Sequence, residues 1–463
     1  MSDIVEALTD VVGRENVSSG DAISDDYTHD EALTAFAMHP LAVVRPADTA
    51  QVARVVNLTS EAGVPLTARG SGTGLSGACI PVDGGIVVSF ERMNEILDID
   101  LDNHVAVVQP GVTLDQLDEA TKPHGLVYPV FPGESSASLG GNVATNAGGM
   151  RAVKYGVTRH QVLGLEAVLG TGEVIRTGGK FVKATTGYDL TQLVIGSEGT
   201  LALVTEAILR LYPRPAFSAT VLAPFATLDD VTAAVPKIVA SGIGPLLVEY
   251  IDFITMEAIV ASQGMELGVD PTVKAGALAY LVVVLEDRRH DRLEENTEEL
   301  ATLLAQLDAL DVYVLPSAAG AQLIEAREKA FWTAKAAGAD DIIDMVVPRA
   351  SMSQYMALVR ELASACGSLV VGCGHAGDGN VHLSVFQKDP AVRHDLIRDI
   401  FSAGMTLGGA ISGEHGIGTE KKAYFVELED PAKLALMRRI KAAFDPGGIL
   451  NPGTIFDASE DQP

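Results

Sequence analysis

The sequence is poor in cysteine, which limits both its covalent architecture and its redox chemistry. Its 463 residues include three cysteines, Cys79, Cys366 and Cys373, too few and too scattered for a disulfide framework. An iron–sulfur cluster generally takes four thiolates, so an internal cluster is not expected either. A reducing compartment is the simplest interpretation, and we expect a cytoplasmic protein.

Basic residues are scarce relative to acidic ones. The chain has 33 Lys and Arg against 61 Asp and Glu, a formal net charge of −28 at pH 7. A nucleic-acid backbone would be repelled by this excess, so we expect no nucleic-acid partner. An anionic small molecule would have to be held locally, by backbone N–H groups or by a positive pocket.

Long apolar runs are also lacking. The longest lies near residues 277–285, well short of the roughly 20 residues that span a bilayer. The first residues, Met1 to Asn16, have no basic stretch followed by an apolar one, so we expect no signal peptide. If the protein serves a membrane process, we expect it to do so through a partner.

Apolar residues, in contrast, are abundant at 47%, and the length exceeds what one hydrophobic core usually supports. Helix and strand signals alternate in the first part of the chain, up to Pro213 and Pro215. Beyond them, long helical stretches alternate with apolar strands, which predicts an antiparallel sheet backed by helices. We predict three units: residues 1–214, 215–402 and a glycine-rich segment, 403–463.

The first glycine loop contains most of a dinucleotide-binding fingerprint, Gly72-x-Gly74-x-x-Gly77. That fingerprint requires a helix directly after the loop, whose N-terminus binds the pyrophosphate. Pro81 and a Gly-Gly pair interrupt the next eight residues and exclude such a helix. We therefore expect the loop to bind an anion through its own N–H groups, with an ordinary glycine turn as the alternative.

Two further glycine-rich segments make the ordinary turn less attractive. The first, from Phe131 to Gly149, combines paired glycines with small hydroxyl residues and two asparagines. Backbone can approach a ligand closely there, and amides and hydroxyls can bond heterocycle edges and phosphate oxygens. The second runs from Lys183 to Leu201 and ends in Gly196-Ser-Glu-Gly-Thr. We expect each of the three segments to be flanked by strands.

With these segments in this order, the sequence resembles the FAD-linked oxidoreductases of the vanillyl-alcohol oxidase/p-cresol methylhydroxylase (PCMH) superfamily. The branch is that of D-lactate dehydrogenase (cytochrome), D-2-hydroxyglutarate dehydrogenase and the flavoprotein component of glycolate oxidase, and the match runs from about residue 40 to residue 453. The resemblance implies an α+β fold: a PCMH-type FAD-binding domain of two subdomains, plus a cap domain with an antiparallel sheet backed by helices. Some members attach flavin to a His or Cys in the glycine loop, and residues 70–77 contain neither, so we expect non-covalent FAD.

The resemblance also implies which residues bind FAD. They are Arg69, Gly70, Ser71, Gly72, Thr73, Gly74, Ser76, Pro132, Gly133, Ser138, Gly140, Gly141, Asn142, Ala144, Thr145, Gly148, Gly149, Glu198, Gly199, Val204 and Asn451. For Asn451, which stands in an Asn-Pro-Gly sequence, turn formation alone is the alternative explanation.

Metal-competent side chains occur in two other glycine-rich segments, around His375 and His382 and around Glu414 and His415. The two histidines would lie on opposite faces of a continuous strand, but the intervening Ala-Gly-Asp-Gly turn can aim both at one point. Imidazole and carboxylate together suit Zn²⁺, Mn²⁺ or Fe²⁺, although spacing alone leaves a structural role open. The resemblance implies His375, His382 and Glu414 as ligands of a divalent metal.

The implied reaction is oxidation of a D-2-hydroxy acid, lactate- or glycolate-like, to the 2-oxo acid. In this reaction the hydride passes from C2 to flavin N5. The resemblance implies that His415 is the base that takes the hydroxyl proton. A Lewis acid bound to the hydroxyl group would lower the pKa of that group. Arg327 matches the family's substrate-binding arginine, which can clamp a carboxylate with two hydrogen bonds. Without that match, Arg327 would be interpreted as a surface residue of a charged helix.

The sequence departs from relatives that act on 2-hydroxyglutarate. Phe331, Ile342 and Ser384 stand where those relatives have Thr, Lys and Asn, and Thr454 replaces a lysine found in many members. An apolar pocket would leave a second carboxylate unpaired, so we favour a shorter or apolar-tailed acid. D-2-hydroxyglutarate remains an alternative substrate, as do an alditol, an aldonolactone and a phenol. A further alternative is that the protein is a nucleotide-binding subunit without chemistry of its own. The electron acceptor is left open between a quinone, a cytochrome, an electron-transfer flavoprotein and an iron–sulfur subunit, as is a homodimer.

Overall fold

The computed structural model describes residues 2–457. The N-terminal part of the chain is built around two main sheets. A four-stranded sheet has the order Val17–Ser19, Ala42–Val44, Ile86–Ser89, Leu66–Arg69. A five-stranded antiparallel sheet has the order Ile96–Asp100, Val105–Val108, Ala202–Arg210, Val162–Leu169, Val174–Gly178. Leu126–Val127 and Tyr212–Pro213 form a separate two-stranded pair.

The helix Thr49–Ala62 packs on the four-stranded sheet through one apolar face. Its N-cap, Asp48, accepts a hydrogen bond from the Gln51 N–H at 2.8 Å, and Gly63 ends the helix with a left-handed φ of 63°. The valines at 52, 55 and 56 recur on one face and are fully buried against the sheet. The other α-helices of this part are Ser2–Val12, Leu114–Thr121, Leu139–Thr145, Ala152–Tyr155 and Leu190–Val194.

The second half of the chain forms an eight-stranded sheet in which every pairing is antiparallel. Its order is Tyr313–Leu315, Phe217–Phe225, Ala279–Asp287, Leu247–Asp252, Leu369–Gly374, Asn380–Phe386, Asp341–Val346, Ala410–Ile411. Its α-helices are Leu228–Ala240, Phe253–Gln263, Pro271–Gly276, His290–Gln306, Ser317–Glu328, Ala330–Ala336, Met352–Ala365 and Pro390–Thr406. The predicted antiparallel sheet backed by helices is confirmed.

The last part of the chain returns to the four-stranded sheet. After the helices Lys422–Leu428 and Pro431–Phe444, the carbonyl of Ile449 accepts from the Leu66 N–H, and Asn451 N–H donates to the Leu66 carbonyl, both at 2.7 Å. Before that return, Ala410–Ile411 completes the eight-stranded sheet by pairing with Met345 and Val346. The domain bounds 1–214, 215–402 and 403–463 stay a prediction, and the last of them extends past the described residues.

Short 3₁₀ turns connect several of these elements. They are Arg14–Asn16, Gly20–Ala22, Asp25–Tyr27, Lys122–His124, Thr158–His160 and Arg349–Ser351. Across the described residues, no helix is both long and apolar enough to cross a membrane.

A buried ion pair between Lys441 and Asp445 holds the segment that returns to the four-stranded sheet. The Lys441 ammonium donates to Asp445 at 2.5 Å and to the carbonyls of Thr200 and Leu450 at 2.9 and 2.8 Å. Asp445→Asn should lower the free energy of unfolding by about 3–5 kcal/mol, because it leaves a buried ammonium without its counter-charge. Urea unfolding of the flavin-loaded protein measures this. The exposed pair Lys274–Glu257 supplies the control, and equal small losses for Asp445→Asn and Glu257→Gln would contradict the expectation.

Candidate active site

The three glycine-rich segments meet in one groove with an empty volume of about 1530 Å³. Most of the residues predicted to bind FAD line it. They are Arg69, Gly70, Ser71, Gly72, Thr73, Gly74, Ser76, Pro132, Gly133, Ser138, Gly140, Gly141, Asn142, Ala144, Thr145, Glu198, Gly199 and Val204.

The first two segments touch at Gly70 and Ser138. A Cβ atom on Gly70 would lie 2.0 Å from Ser138 Oγ, so the approach requires glycine. Ser138 Oγ accepts from the N–H groups of Ser71 and Gly141, both at 3.3 Å, and thereby caps the helix Leu139–Thr145. In this helix, the cap and the packing outweigh the poor helix propensity of its two glycines. The element that follows the segment is the helix Ala152–Tyr155, which corrects the expectation that strands flank each segment.

No helix follows the first glycine loop, as predicted, since residues 78–85 are turn and coil. The buried carboxylate of Asp30 shapes this loop instead by accepting from the Gly77 N–H at 2.9 Å. Burial raises the pKa of Asp30 to about 6. Sequence reasoning missed Asp30, because it lies about 40 residues before the glycine loop and belongs to no motif.

The groove suits an anionic, heterocyclic cofactor. Its walls carry backbone N–H groups of the glycine segments, and the buried Asn142 Nδ2 has no hydrogen-bond partner among the described residues. Such an orphaned donor costs free energy unless a ligand satisfies it. The donor set therefore fits the phosphates and ring edges of FAD.

Gly148, Gly149 and Asn451 lie outside the groove lining. Gly149 lines the adjoining cavity, and a Cβ atom on Gly148 would come within 2.7 Å of the Glu414 carboxylate. The Asn451 amide donates to the carbonyls of Ala78 and Glu198, both at 2.7 Å. Asn451 therefore connects two cofactor loops with the returning segment, and its direct contact with FAD stays a prediction.

Glu198 has a second connection of this kind. It lines the groove, and its carboxylate accepts from the N–H groups of Ile417 and Gly418 at 2.8 and 2.7 Å. Burial raises the pKa of Glu198 to about 7. Glu198 thus lines the groove, and its side chain fixes the loop that carries Glu414 and His415.

The two histidines and the carboxylate predicted as metal ligands lie together. Glu414 Oε1 is 3.1 Å from Nε2 of His375 and 3.1 Å from Nε2 of His382. One ligand atom from each residue lies within 4.8 Å of the other two. Burial opposes ionisation of Glu414, but His375 and His382 together outweigh it and hold the pKa of Glu414 well below its usual range. Two imidazoles and a carboxylate in this arrangement fit Zn²⁺, Mn²⁺ or Fe²⁺.

Arg327 is a buried residue, contrary to the surface interpretation that the sequence alone favoured. Its side chain is 7% exposed, and its Nη2 lies 2.8 Å from Oε2 of the fully buried Glu249. The other oxygen of Glu249 lies 2.7 Å from His375 Nδ1. Glu249 therefore fixes the orientation of both the arginine and one candidate metal ligand, as carboxylates behind metal-binding histidines commonly do.

His415 stands between the cluster and the groove. Its ring stacks on that of His382 with centroids 5.0 Å apart. The backbone N–H of His415 donates to Asp344 at 2.9 Å. Asp344 also accepts from the Glu414 N–H and the Ser412 hydroxyl, both at 2.8 Å, and so holds this loop. Burial lowers the pKa of the His415 imidazole.

Asp344 and Glu249 were missed at the sequence level, although a signal was present. Each is an acid inside an apolar strand, Leu247–Asp252 for Glu249 and Asp341–Val346 for Asp344. Buried acids of this type almost always have a partner. The sequence alone does not say which partner.

A second cavity joins the groove at this point. Leu75, Pro132, Gly133, Phe331, Glu414 and His415 line both. Arg327, His375 and His382 line the cavity, as do Ile342 and Ser384, two of the positions that depart from 2-hydroxyglutarate-oxidising relatives. Phe331, the third such position, stands at the junction. The cavity therefore places a carboxylate-binding cation, three imidazoles and the variable positions beside the cofactor groove.

Comparison with known proteins identifies the family of the chain. Residues 214–455 match the family model described as FAD linked oxidases, C-terminal domain, and residues 40–178 match that of the FAD binding domain. An uncharacterised FAD-linked oxidoreductase of Mycobacterium tuberculosis is 58% identical, over 98% of this chain and 99% of its own. Glycolate oxidase subunit GlcD of Bacillus subtilis is 38% identical, over 98% and 97%. D-lactate dehydrogenase of Archaeoglobus fulgidus is also 38% identical, over 93% and 96%.

A solved structure supports the fold. The structure of p-cresol methylhydroxylase with substrate bound superimposes with a TM-score of 0.82 at 18% identity, covering 99% of this chain and 97% of that one. The resemblance stated from the sequence is thereby confirmed at the level of family and fold.

Proposed function

The chain belongs to the FAD linked oxidases, and from that premise we propose that it oxidises a D-2-hydroxy acid to the 2-oxo acid and passes the electrons to a separate acceptor. The observation that carries the proposal is the cavity in which Arg327, His415 and the cluster of His375, His382 and Glu414 adjoin the cofactor groove. Relatives named glycolate oxidase subunit GlcD and D-lactate dehydrogenase, at 38% identity, support the same substrate class.

Arg327 would bind the substrate carboxylate. Its guanidinium lines the cavity, and its Nε has no hydrogen-bond partner among the described residues. A substrate carboxylate can accept hydrogen bonds from Nε and from a terminal nitrogen of the guanidinium at the same time. Glu249 meanwhile contacts the guanidinium at Nη2 and fixes its orientation. Because the negative charge of the chain as a whole repels anions, this local cation is essential to substrate binding.

His375, His382 and Glu414 would hold a divalent cation. Once bound, the cation supplies a Lewis acid that lowers the pKa of the substrate hydroxyl and orients it. The residues themselves are prepared for this, because Glu249 accepts at His375 Nδ1 and so leaves Nε2 directed at Glu414.

His415 would take the hydroxyl proton as the C2–H bond breaks and the C=O bond forms. Its ring lines both cavities, so it can reach a substrate placed between Arg327 and the groove. FAD, held by the glycine-rich groove, would supply the hydride acceptor for this step. Cys79, which also lines the groove, has a pKa raised by burial to about 12 and stays a thiol, in keeping with non-covalent flavin.

The test is spectroscopic. The purified protein should be yellow, release its flavin on acid denaturation, and bleach anaerobically with D-lactate, glycolate or a longer D-2-hydroxy acid. Absence of bleaching with every 2-hydroxy acid, with and without added divalent metal, would refute the proposal. Bleaching by a phenol or an alditol alone would favour another alcohol substrate in the same fold.

Glu249→Gln should weaken both metal and substrate binding. The amide keeps the shape but removes the charge that faces Arg327 and His375, so metal affinity should fall about 10- to 100-fold and KM should rise. Metal content after dialysis against graded chelator, together with KM, measures the two effects. Glu325→Gln, on the helix that carries Arg327 and paired at the surface with Lys329, is the matched control. Unchanged metal content and KM in Glu249→Gln would contradict this role.

A further inference from the structure

The cavity continues outward from the metal cluster along one face of the strand Asn380–Phe386. Side chains alternate along this strand: those of Val381, Leu383 and Val385 pack into the core behind the sheet. His382, Ser384 and Phe386 face the cavity instead. From His382 to Phe386 the strand advances four residues, or about 13 Å at the usual rise per residue.

The face of the sheet that carries His382, Ser384 and Phe386 forms the floor of the cavity, and apolar side chains on the neighbouring strands extend it. Ser384 is paired across the sheet with Val371 on one side and Ile342 on the other, and Phe386 is paired with Leu369. All of these side chains line the cavity. Leu369 is 46% exposed, so the cavity opens to solvent at the end far from the cluster.

Two helices form another wall of the cavity, and this wall includes three alanines. The helix Phe253–Gln263 contributes Ile254 and Ala258, and the helix Ala330–Ala336 contributes Ala330 and Ala334. Because an alanine side chain ends at Cβ, these helices leave room between themselves and the sheet, and the whole cavity has an empty volume of about 1060 Å³.

The charged lining residues lie at the inner end of this channel, with Arg327 and Glu414 at the cluster and Glu328 where the cavity meets the groove. Among the described lining residues, the permanent cation is Arg327, beside the cluster, and no lysine or second arginine lines the cavity. A second carboxylate at the tail of a substrate would lose its hydration without gaining a counter-charge. A hydrocarbon tail would gain from the same surroundings.

We propose that the preferred substrate is a D-2-hydroxy acid with an apolar tail of several carbons, which lies in the channel between Ile342, Val371 and the alanine-bearing helices. The inference rests on the proposed function and specifies its substrate. The carboxylate meets Arg327, C2 lies next to the cofactor groove, and the tail points toward Leu369. Hydride leaves C2 for the flavin and the hydroxyl proton goes to His415, which gives the 2-oxo acid and reduced flavin.

A substrate series tests the proposal with the flavin-loaded, metal-replete protein. The rate of anaerobic flavin reduction is measured with D-lactate, D-2-hydroxybutyrate, D-2-hydroxyhexanoate, D-2-hydroxyoctanoate and D-2-hydroxyglutarate. The second-order rate constant should rise roughly fourfold for each buried methylene until the channel is filled, and 2-hydroxyglutarate should fall well below 2-hydroxyhexanoate. A series that is flat or falls after lactate, or a preference for 2-hydroxyglutarate, overturns the proposal. No reduction by any of these acids refutes the proposed function itself.

Two variants connect the preference with the channel. Ala334→Phe fills the space beside the alanine wall and should reduce the 2-hydroxyhexanoate-to-lactate ratio of rate constants at least tenfold. Ile342→Lys adds a cation to the floor of the cavity. It should raise the 2-hydroxyglutarate-to-2-hydroxyhexanoate ratio of rate constants at least tenfold. Ala336→Phe, on the solvent side of the same helix, is the matched control and should leave both ratios unchanged. If Ala334→Phe and Ile342→Lys retain flavin but leave the ratios as they were, the tail does not lie in this channel.

Discussion

His415→Asn is expected to lower the rate constant of flavin reduction by roughly 100- to 10,000-fold at saturating substrate, the usual contribution of a positioned general base. Asparagine keeps a side chain of similar reach but cannot take a proton near neutral pH. The local backbone should be retained, because its N–H bond to Asp344 and its carbonyl bond from Ser76 do not involve the ring. Rapid mixing under anaerobic conditions measures the rate constant directly.

The control for this variant is His290→Asn, at an exposed histidine that is remote from the cavity. Flavin and metal content should equal those of the parent protein in both variants, which separates a loss of proton transfer from a loss of assembly. A reduction rate within tenfold of the parent would rule out His415 as the base.

The cofactor groove was largely predictable from the sequence because its determinants are local. Gly72 and Gly77 have positive φ, and Gly70 permits a close contact. The conformation of the groove therefore requires glycine at fixed positions, and those glycines are visible in the sequence. The pair His375 and His382 was predictable for the same reason, since one short turn brings both rings together. The helix Leu139–Thr145 was not, because its stability comes from a cap and from buried Leu139 and Val143 rather than from propensity.

The acids that organise the site were not predictable, because they act between segments that are distant in sequence. Glu249 contacts a histidine 126 residues away, and Asp344 fixes a loop about 70 residues away. Their partners follow from the order of strands in the eight-stranded sheet, where Leu247–Asp252 lies next to Leu369–Gly374. The burial of Arg327 has the same origin, since only the sheet order brings Glu249 beneath it.

These buried acids also reconcile the charge of the chain with an anionic substrate. Glu249 neutralises Arg327 in part and fixes its direction, so a bound carboxylate completes an arrangement that already carries one negative charge. In the proposed function, the cluster of His375, His382 and Glu414 would add positive charge by binding a divalent cation. We therefore expect substrate binding and metal binding to be coupled through Glu249, which contacts both sites.

His375→Ala should remove the metal and most of the activity together. The variant deletes one of three ligand groups and also leaves Glu249 without its 2.7 Å contact to Nδ1, so metal affinity should fall by more than about 100-fold, beyond the effect expected for a residue that only supports a ligand. Flavin should be retained, because His375 lines the substrate cavity and not the cofactor groove. Elemental analysis and flavin absorbance on one preparation measure both quantities.

Glu414→Gln extends this test if His375→Ala folds poorly, since it keeps the shape of the side chain while removing the carboxylate. Each variant should reduce turnover of a 2-hydroxy acid by at least about 100-fold, in keeping with the loss of a Lewis acid. His394→Ala, at a histidine whose ring contacts Tyr424 and not the cavity, is the control. Normal metal content and turnover in both His375→Ala and Glu414→Gln would exclude metal-assisted oxidation and leave His415 to act with Arg327 alone.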